Sequence, residues 1–235
     1  MKPETTNIQL KVIAIDGPAG SGKSTAARHL AEALHYTYLN TGAMYRAVAF
    51  LAKEGGIAFE HDKPVAEVAR RMRFEYRILD GQQHFIVNGA DRTRELFTAA
   101  LTEQLKPVVN NPAVREVLVE KMRSAAQGLL AQGVPGVVME GRDIGTVVFP
   151  EAALKFYIHA DLGERARRRA AELQARGEPV DLEGLRKQIR YRDETDRARS
   201  IGPLKKAADA IDVDTTHLDE KATLQKLLSA AKALT

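Results

Sequence analysis

The stretch "IDGPAGSGKSTAARHLAEAL", Ile15 to Leu34, limits what this chain can fold into more than any other. A glycine-rich loop separates the apolar run "KVIAID" (Lys11 to Asp16) from a run with helical spacing that begins near Gly22. Gly17, Gly22, Lys23 and Ser24 satisfy G-x-x-x-x-G-K-[ST], and the strand–loop–helix context is the one that pattern requires. A loop of this kind turns around a phosphate with its backbone N–H groups facing inward, and glycine permits the close approach. The helix start adds its positive dipole. The loop residues Gly17, Pro18, Ala19, Gly20, Ser21, Gly22, Lys23, Ser24 and Thr25 are therefore expected to hold a nucleoside triphosphate. Lys23 would reach the β- and γ-phosphates, and the Ser24 hydroxyl would ligate Mg²⁺. A dinucleotide site is the rival for this stretch. Gly20 and Gly22 supply half of its fingerprint, but Thr25 occupies the third glycine position.

The rest of the chain reads as strands alternating with helices. Strand candidates are Tyr36 to Asn40, Gly136 to Glu140, Leu154 to Ala160 and Ala210 to Val213. Helical spacing runs over Gly42 to Gly55, Asp62 to Met72 with a cap at Asp62, Leu96 to Lys106 and Ala113 to Leu130. It returns over Leu162 to Arg176, Leu182 to Arg192 and Leu218 to Leu234. "RFEYRILDGQQHFIVNG" (Arg73 to Gly89) alternates around Asp80-Gly81 and predicts a β-hairpin that interrupts the repeat as an insert. The pattern predicts an α/β chain with a central parallel sheet covered on both faces, a three-layer arrangement.

At 235 residues the chain suffices for one domain with inserts. No apolar stretch approaches a membrane span, and "MKPETTNIQLKVIAID" lacks a signal-peptide core. The chain has no cysteine, which excludes disulfides and thiolate metal sites, so a cytoplasmic location is expected. Net charge is only +4, but arginines crowd one stretch: Arg165, Arg167, Arg168, Arg169, Arg176, Arg186, Arg190, Arg192, Arg197 and Arg199. Arginine in preference to lysine suits bidentate recognition of phosphate, although a solvated helix face explains part of such a run. A GTPase would carry N-K-x-D, which is absent. Transfer of a phosphoryl group to a small acceptor fits better. ATP and a nucleoside monophosphate bring roughly six negative charges together, Mg²⁺ and Lys23 neutralise about three, and guanidiniums must meet the rest.

Three further segments complete the pattern: "NTGAMYRAVA" (Asn40 to Ala49), "EGRDIGTVVFPEA" (Glu140 to Ala152) and "RYRDETDRARSIGPL" (Arg190 to Leu204). With the glycine-rich loop, the chain resembles the bacterial cytidylate kinases, the CMP kinase branch of the nucleoside monophosphate kinases. The resemblance runs from about Val12 to the last helix. It implies a P-loop kinase fold over residues 1–235, an inserted CMP-binding segment with a small antiparallel sheet at 57–110, and a short helical lid with flanking Arg-rich helices at 162–200. It implies phosphorylation of CMP and dCMP by ATP with Mg²⁺. Thr41 and Arg46 would hold the CMP phosphate, a hydroxyl and guanidinium pairing suited to a phosphate monoester. Arg115 and Asp143 would read cytosine, the carboxylate accepting from the exocyclic amine. Arg192 and Arg199 would contact phosphate, Asp196 the CMP sugar, and Arg168 would swing onto the phosphoryl group in transfer.

The chain departs from the family at several positions. The family has aspartate where Asn40 stands, which bears on the orientation of Thr41 and Arg46. Glu140 replaces an aspartate, Phe97 stands where arginine is common, and Lys106 falls where a small hydroxyl residue helps read cytosine, with Thr102 as the alternative. Two other readings carry distinct consequences. A kinase for UMP, AMP or shikimate would lack a preference for cytosine. A nucleotide-binding regulatory module using its arginines on nucleic acid would show strongly salt-dependent polynucleotide binding. Few aromatic residues and the mild charge argue for small-molecule partners without nucleic acid or membrane, and a monomer is expected.

Overall fold

A computed structural model describes residues 11–79, 82–175 and 177–232. In chain order the elements are β1 (Lys11–Asp16), α1 (Lys23–Leu34), β2 (Thr37–Asn40), α2 (Thr41–Glu54), α3 (Asp62–Arg71), β3 (Phe74–Leu79), β4 (Gln82–Val87) and β5 (Ala90–Asp91). There follow α4 (Thr93–Leu96), α5 (Ala99–Gln104), α6 (Lys106–Asn110), α7 (Pro112–Ala131), β6 (Gly136–Gly141), β7 (Leu154–His159), α8 (Leu162–Ala175), α9 (Leu182–Arg197), β8 (Ile211–Asp214) and α10 (Glu220–Ala231). The chain divides into two compact units, one of residues 1–38 with 126–235 and one of residues 39–125. Among the described residues no helix is long and apolar enough to cross a membrane.

The first unit is built on a five-stranded sheet in the order β2-β6-β1-β7-β8. β1 pairs in parallel with β6 and with β7, and β7 pairs in parallel with β8. This central place explains why five consecutive residues of "KVIAID" are buried, since a parallel strand between two others has no solvent face. Ile13, Ile15, Val138, Phe156, Ile158 and Val213 of the sheet pack against Ala26, Ala27, Leu30 and Ala31 of α1 and Leu227 and Ala231 of α10. The loop leaves the carboxyl end of β1 at Asp16 and enters α1 at Lys23, and the buried face of α1 packs on the sheet.

Two features of this unit depart from the sequence reading by more than the one- or two-residue shifts at the ends of other elements. α9 runs to Arg197 instead of stopping at Arg192, so Arg192, Asp193 and Asp196 share one helix. The segment Ile144–Val148, inside "GRDIGTVV", forms a π-helical turn, with the Asp143 carbonyl accepting from the N–H groups of Val147 and Val148. The expected ends at Arg176 and Leu234 fall outside the described residues; the last helix is described to Ala231 and capped by Asp219, whose Oδ1 accepts from Ala222 N at 2.7 Å.

The second unit holds the antiparallel sheet β3-β4-β5. β3 and β4 are the expected hairpin, with Phe74 opposite Val87 and Leu79 opposite Gln82. Its turn residues Asp80 and Gly81 lie outside the described residues. β5 was not anticipated; a two-residue strand leaves no periodicity to read. The single helix expected over Leu96 to Lys106 is instead divided among α4, α5 and α6. Thr98 caps α5, its Oγ1 accepting from Leu101 N at 3.3 Å, and Pro107 sits in the first turn of α6. Both residues favour a helix start over a helix interior, which explains the division. The cap of α3 is His61, with no side-chain bond, and Asp62 is already helical.

Candidate active site

The loop between β1 and α1 is held by its own polar groups. Gly22 precedes α1 with φ 83°, a left-handed conformation that favours glycine. Pro18 O accepts from Lys23 Nζ at 2.8 Å and from Ser21 Oγ at 3.1 Å. Lys23 is 5% exposed, and burial pulls its ammonium down to about 7. The charges of Arg142 and Arg192 push the same way, with Glu140 and Asp16 opposing them. Lys23 thus sits in a field set by Glu140 of β6, by Arg142 just after it and by Arg192 of α9, all far away in sequence.

Two carboxylates flank the loop. Ser24 Oγ donates to Glu140 Oε2 at 2.8 Å, and Tyr38 OH donates to Glu140 Oε1 at 2.6 Å. Asp16, at the end of β1, accepts from Ile144 N at 2.9 Å and Gly145 N at 2.8 Å. Burial pushes Asp16 up to about 6 in spite of these two bonds, with Asp143 adding to the rise. The π-helical turn therefore serves to aim two N–H groups at one carboxylate.

Beside them lies a cluster of cations around one buried acid. Arg142 Nε donates to Asp196 Oδ2 at 2.8 Å, and Arg199 Nη2 donates to Asp196 Oδ1. Asp196 is 2% exposed. Burial disfavours its ionised form, but Arg142 and Arg199 outweigh that and hold its carboxyl below the usual range. Arg192 stands one helical turn before Asp196 and adds to the same effect.

Of the residues expected from sequence, Lys23, Ser24, Asp143, Arg192, Asp196 and Arg199 all belong to the first unit. Asp143 is buried and Arg192 is exposed. Arg168 is in the first unit too, but its guanidinium docks on Thr215: Nη1 donates to Thr215 Oγ1 at 3.1 Å and Nη2 to Thr215 O at 2.6 Å, while Nε pairs with Glu164 at 2.7 Å. Thr215 Oγ1 in turn donates to Ser21 O at 3.2 Å, so Arg168 is tied to the loop through one threonine. Arg167, Arg169 and Arg186 pair with Glu164, Glu172 and Glu183 on the helix surface, where such pairs are worth little.

Thr41, Arg46 and Arg115 belong to the second unit. Thr41 is buried at the first position of α2. Asn40 caps that helix, its Oδ1 accepting from Ala43 N at 3.2 Å, so the amide fills the capping role at this departure from the family pattern. Arg46 Nη1 donates to Thr102 Oγ1 at 2.7 Å and to Leu96 O at 3.1 Å, and its guanidinium lies 5.0 Å from the Phe97 ring. Phe97, a departure from the family pattern, thus packs on Arg46, and Thr102, the alternative to Lys106 for reading cytosine, bonds to Arg46 as well. Arg115, 3% exposed on α7, donates to Val109 O and lies 5.7 Å from the Tyr45 ring.

Sequence reasoning missed Arg142, Asp16 and Tyr38 and treated Glu140 as a mild departure. Arg142 stood inside a quoted motif. Its signal was position: it follows the strand that turns out to neighbour β1, at the carboxyl edge where open α/β sheets bind ligands.

Sheet, loop and arginine cluster place the chain among the P-loop kinases. A family model described as cytidylate kinase matches residues 13–233. The chain is 41% identical over 216 residues to a cytidylate kinase of Geobacillus sp. (strain WCH70), covering 92% of this chain and 94% of the relative. It is 42% identical over 226 residues to a cytidylate kinase of Caldanaerobacter subterraneus subsp. tengcongensis, covering 96% of each. Among solved structures, an uncharacterized protein from Eubacterium ventriosum superposes with a TM-score of 0.50 at 13% identity, over 96% of this chain and 99% of that one, a likeness of fold. The chain belongs to the cytidylate kinase family.

Proposed function

We propose that this protein transfers the γ-phosphoryl group of ATP to CMP or dCMP, giving ADP and CDP or dCDP. A phosphate oxygen of the monophosphate forms the new bond to phosphorus, the bond to the β–γ bridging oxygen breaks, and ADP leaves. The acceptor oxygen is already anionic, so no strong base is needed; positioning and charge stabilisation carry the chemistry. The observation that carries this reading is the Arg142–Asp196–Arg199 cluster, whose Arg142 charge acts on Lys23.

Residues 17–25 cradle the ATP phosphates, with Lys23 on the phosphates where charge develops. Thr41 and Arg46 take the phosphate of CMP, and Arg115 and Asp143 read the cytosine. Arg142, Arg192 and Arg199 face phosphate oxygens, and Asp196 holds Arg142 and Arg199 in place while contacting the sugar. Arg168 reaches the phosphoryl group by exchanging Thr215 for it.

The Ser24 hydroxyl and the Glu140 carboxylate, 2.8 Å apart, form a hard oxygen donor set that fits Mg²⁺. Mg²⁺ bound there would neutralise charge on the β- and γ-oxygens. Ser24 and Glu140 would hold it, and Tyr38 would orient Glu140 through its 2.6 Å bond.

Residues 57–110 act as the CMP-binding insert and residues 162–200 as the lid with its flanking helices. A cytoplasmic monomer acting on small molecules is the working form, in keeping with a net charge of only +4 and the absence of cysteine. A coupled assay of ADP release with CMP, dCMP, UMP and AMP tests the reading. CMP and dCMP are expected to turn over at least about a hundredfold faster in kcat/KM than UMP, because a site built for the cytosine amine leaves Asp143 facing a carbonyl in uracil. Equal rates for UMP and CMP would remove the cytosine preference.

A further inference from the structure

Two charged side chains of the α8–α9 pair have no part in the reaction above, and both are buried: Arg165 at 6% and Asp193 at 3% exposure. They form an ion pair with 2.6 Å between Arg165 Nη1 and Asp193 Oδ2. The pair closes on one residue of the phosphate loop. Asp193 Oδ1 accepts from Ala19 N at 3.2 Å, and Arg165 Nη1 donates to Ala19 O at 2.9 Å. Arg165 Nε also donates to Ala160 O at 3.0 Å, which anchors the guanidinium to the end of β7. The next loop residue, Gly20, has φ +72°, and a Cβ there would lie 3.3 Å from Arg165 Cβ and from Arg165 O. Loop and helix α8 are in backbone contact.

Holding Ala19 at both polar groups fixes two peptide planes. Ala19 N–H belongs to the plane whose carbonyl is Pro18 O, the acceptor for Lys23 Nζ and Ser21 Oγ. Ala19 O belongs to the plane whose N–H is that of Gly20. In a trans peptide the N–H and the carbonyl point in opposite directions. The Asp193 bond therefore turns Pro18 O toward Lys23, and the Arg165 bond turns the Gly20 N–H away from α8. A buried ion pair is weak evidence for net stability, because apolar side chains of similar volume often replace one without loss. Its geometry, in contrast, is specific, and a phosphate loop works only if its dipoles are set before the ligand arrives.

We propose that Arg165 and Asp193 are positioning residues that set the phosphate loop for the donor nucleotide, so that the α8–α9 pair governs ATP affinity by gripping the Ala19 peptides. This rests on the reading of residues 17–25 as the ATP cradle. Asp193→Asn and the double variant Arg165→Met/Asp193→Leu test it, with KM for ATP, KM for CMP and melting temperature as readouts. Asp193 accepts from Ala19 N–H at Oδ1 and from Arg165 at Oδ2; asparagine keeps only one accepting oxygen, turns an NH₂ donor toward the other partner and loses the charge that holds the guanidinium. Asp193→Asn is expected to raise KM for ATP on the order of tenfold while KM for CMP moves less than about twofold. The double variant is expected to melt near the wild type and still show the raised KM for ATP. Wild-type KM for ATP in either variant that folds overturns the proposal, because the pair would then serve stability alone. Should the double variant fail to fold, Asp193→Asn decides. A wild-type protein that releases no ADP from ATP with CMP would instead refute the kinase reading, which separates the two failures.

Discussion

In the first unit Arg142 and Arg199 meet across the buried carboxylate of Asp196, whereas in the second unit Arg46 rests on a hydroxyl, a carbonyl and an aromatic ring. On the proposed function, these are two ways of keeping a guanidinium ready for phosphate. A cation paired with a buried acid is fixed in place, and separating such a pair by removing one partner costs about 3–5 kcal/mol. A cation on neutral acceptors keeps its full charge and changes partners at lower cost; a cation–π contact is worth about 0.5–2 kcal/mol. On the proposed function, the first unit would be set in advance for the charge that develops between donor and acceptor, and the second would give up its present contacts for an incoming phosphate. The fold supports the contrast, with a five-stranded sheet under one group of arginines and short helices with a small antiparallel sheet around the other.

Removing the fixed charge should have the largest effect. Lys23→Ala is expected to lower kcat/KM on the order of a thousandfold or more, most of it in kcat, because Lys23 acts on charge that grows in the transition state. An unaltered kcat would break the comparison on the donor side. Arg46→Met should be milder and of a different kind. KM for CMP is expected to rise about a hundredfold while KM for ATP changes less than about threefold, since the lost contacts belong to the acceptor alone. Equal rises in both constants would show that the two groups of arginines do not divide the work.

The smallest effect concerns Asp16. Burial raises its carboxyl to about 6 in the folded protein, above its ordinary 3.8. The folded state therefore holds a proton that the unfolded chain releases, and the stability this provides is full below about pH 3.8 and lost as pH rises through about 6. Urea unfolding of wild type and Asp16→Asn at about pH 5 and about pH 7.5 reads this directly. The stability of the wild type relative to the variant should be greater at the lower pH. A difference that does not change with pH would mean that Asp16 is ionised throughout.

How much of this was legible in the sequence depended on whether the deciding contact was local. β1, the phosphate loop and α1 were readable, because periodicity and glycine spacing act over a few residues. Asp196 and Arg199 stood in a legible motif, but the pairing of Asp196 with Arg199 and with Arg142 was not readable. Nor was Arg142, since its role comes from a sheet order that puts β6 beside β1. The grip of Arg165 and Asp193 on Ala19 spans 146 and 174 residues and left no local pattern at all. In the second unit, Thr98 and Pro107 carried the helix starts in plain view, but the apolar spacing over 96–106 concealed them. Asn40 looked like a lost charge and proved to be a helix cap.

The most direct measurement follows the label. ATP labelled at the γ-phosphate, incubated with Mg²⁺ and CMP, should pass its label to the β-phosphate of CDP, with little inorganic phosphate formed. Replacing CMP by UMP should cut the transfer sharply. Label that appears as inorganic phosphate, or that reaches UMP as fast as CMP, would contradict the assignment of Lys23 and the arginine cluster to transfer from ATP onto a cytidine monophosphate.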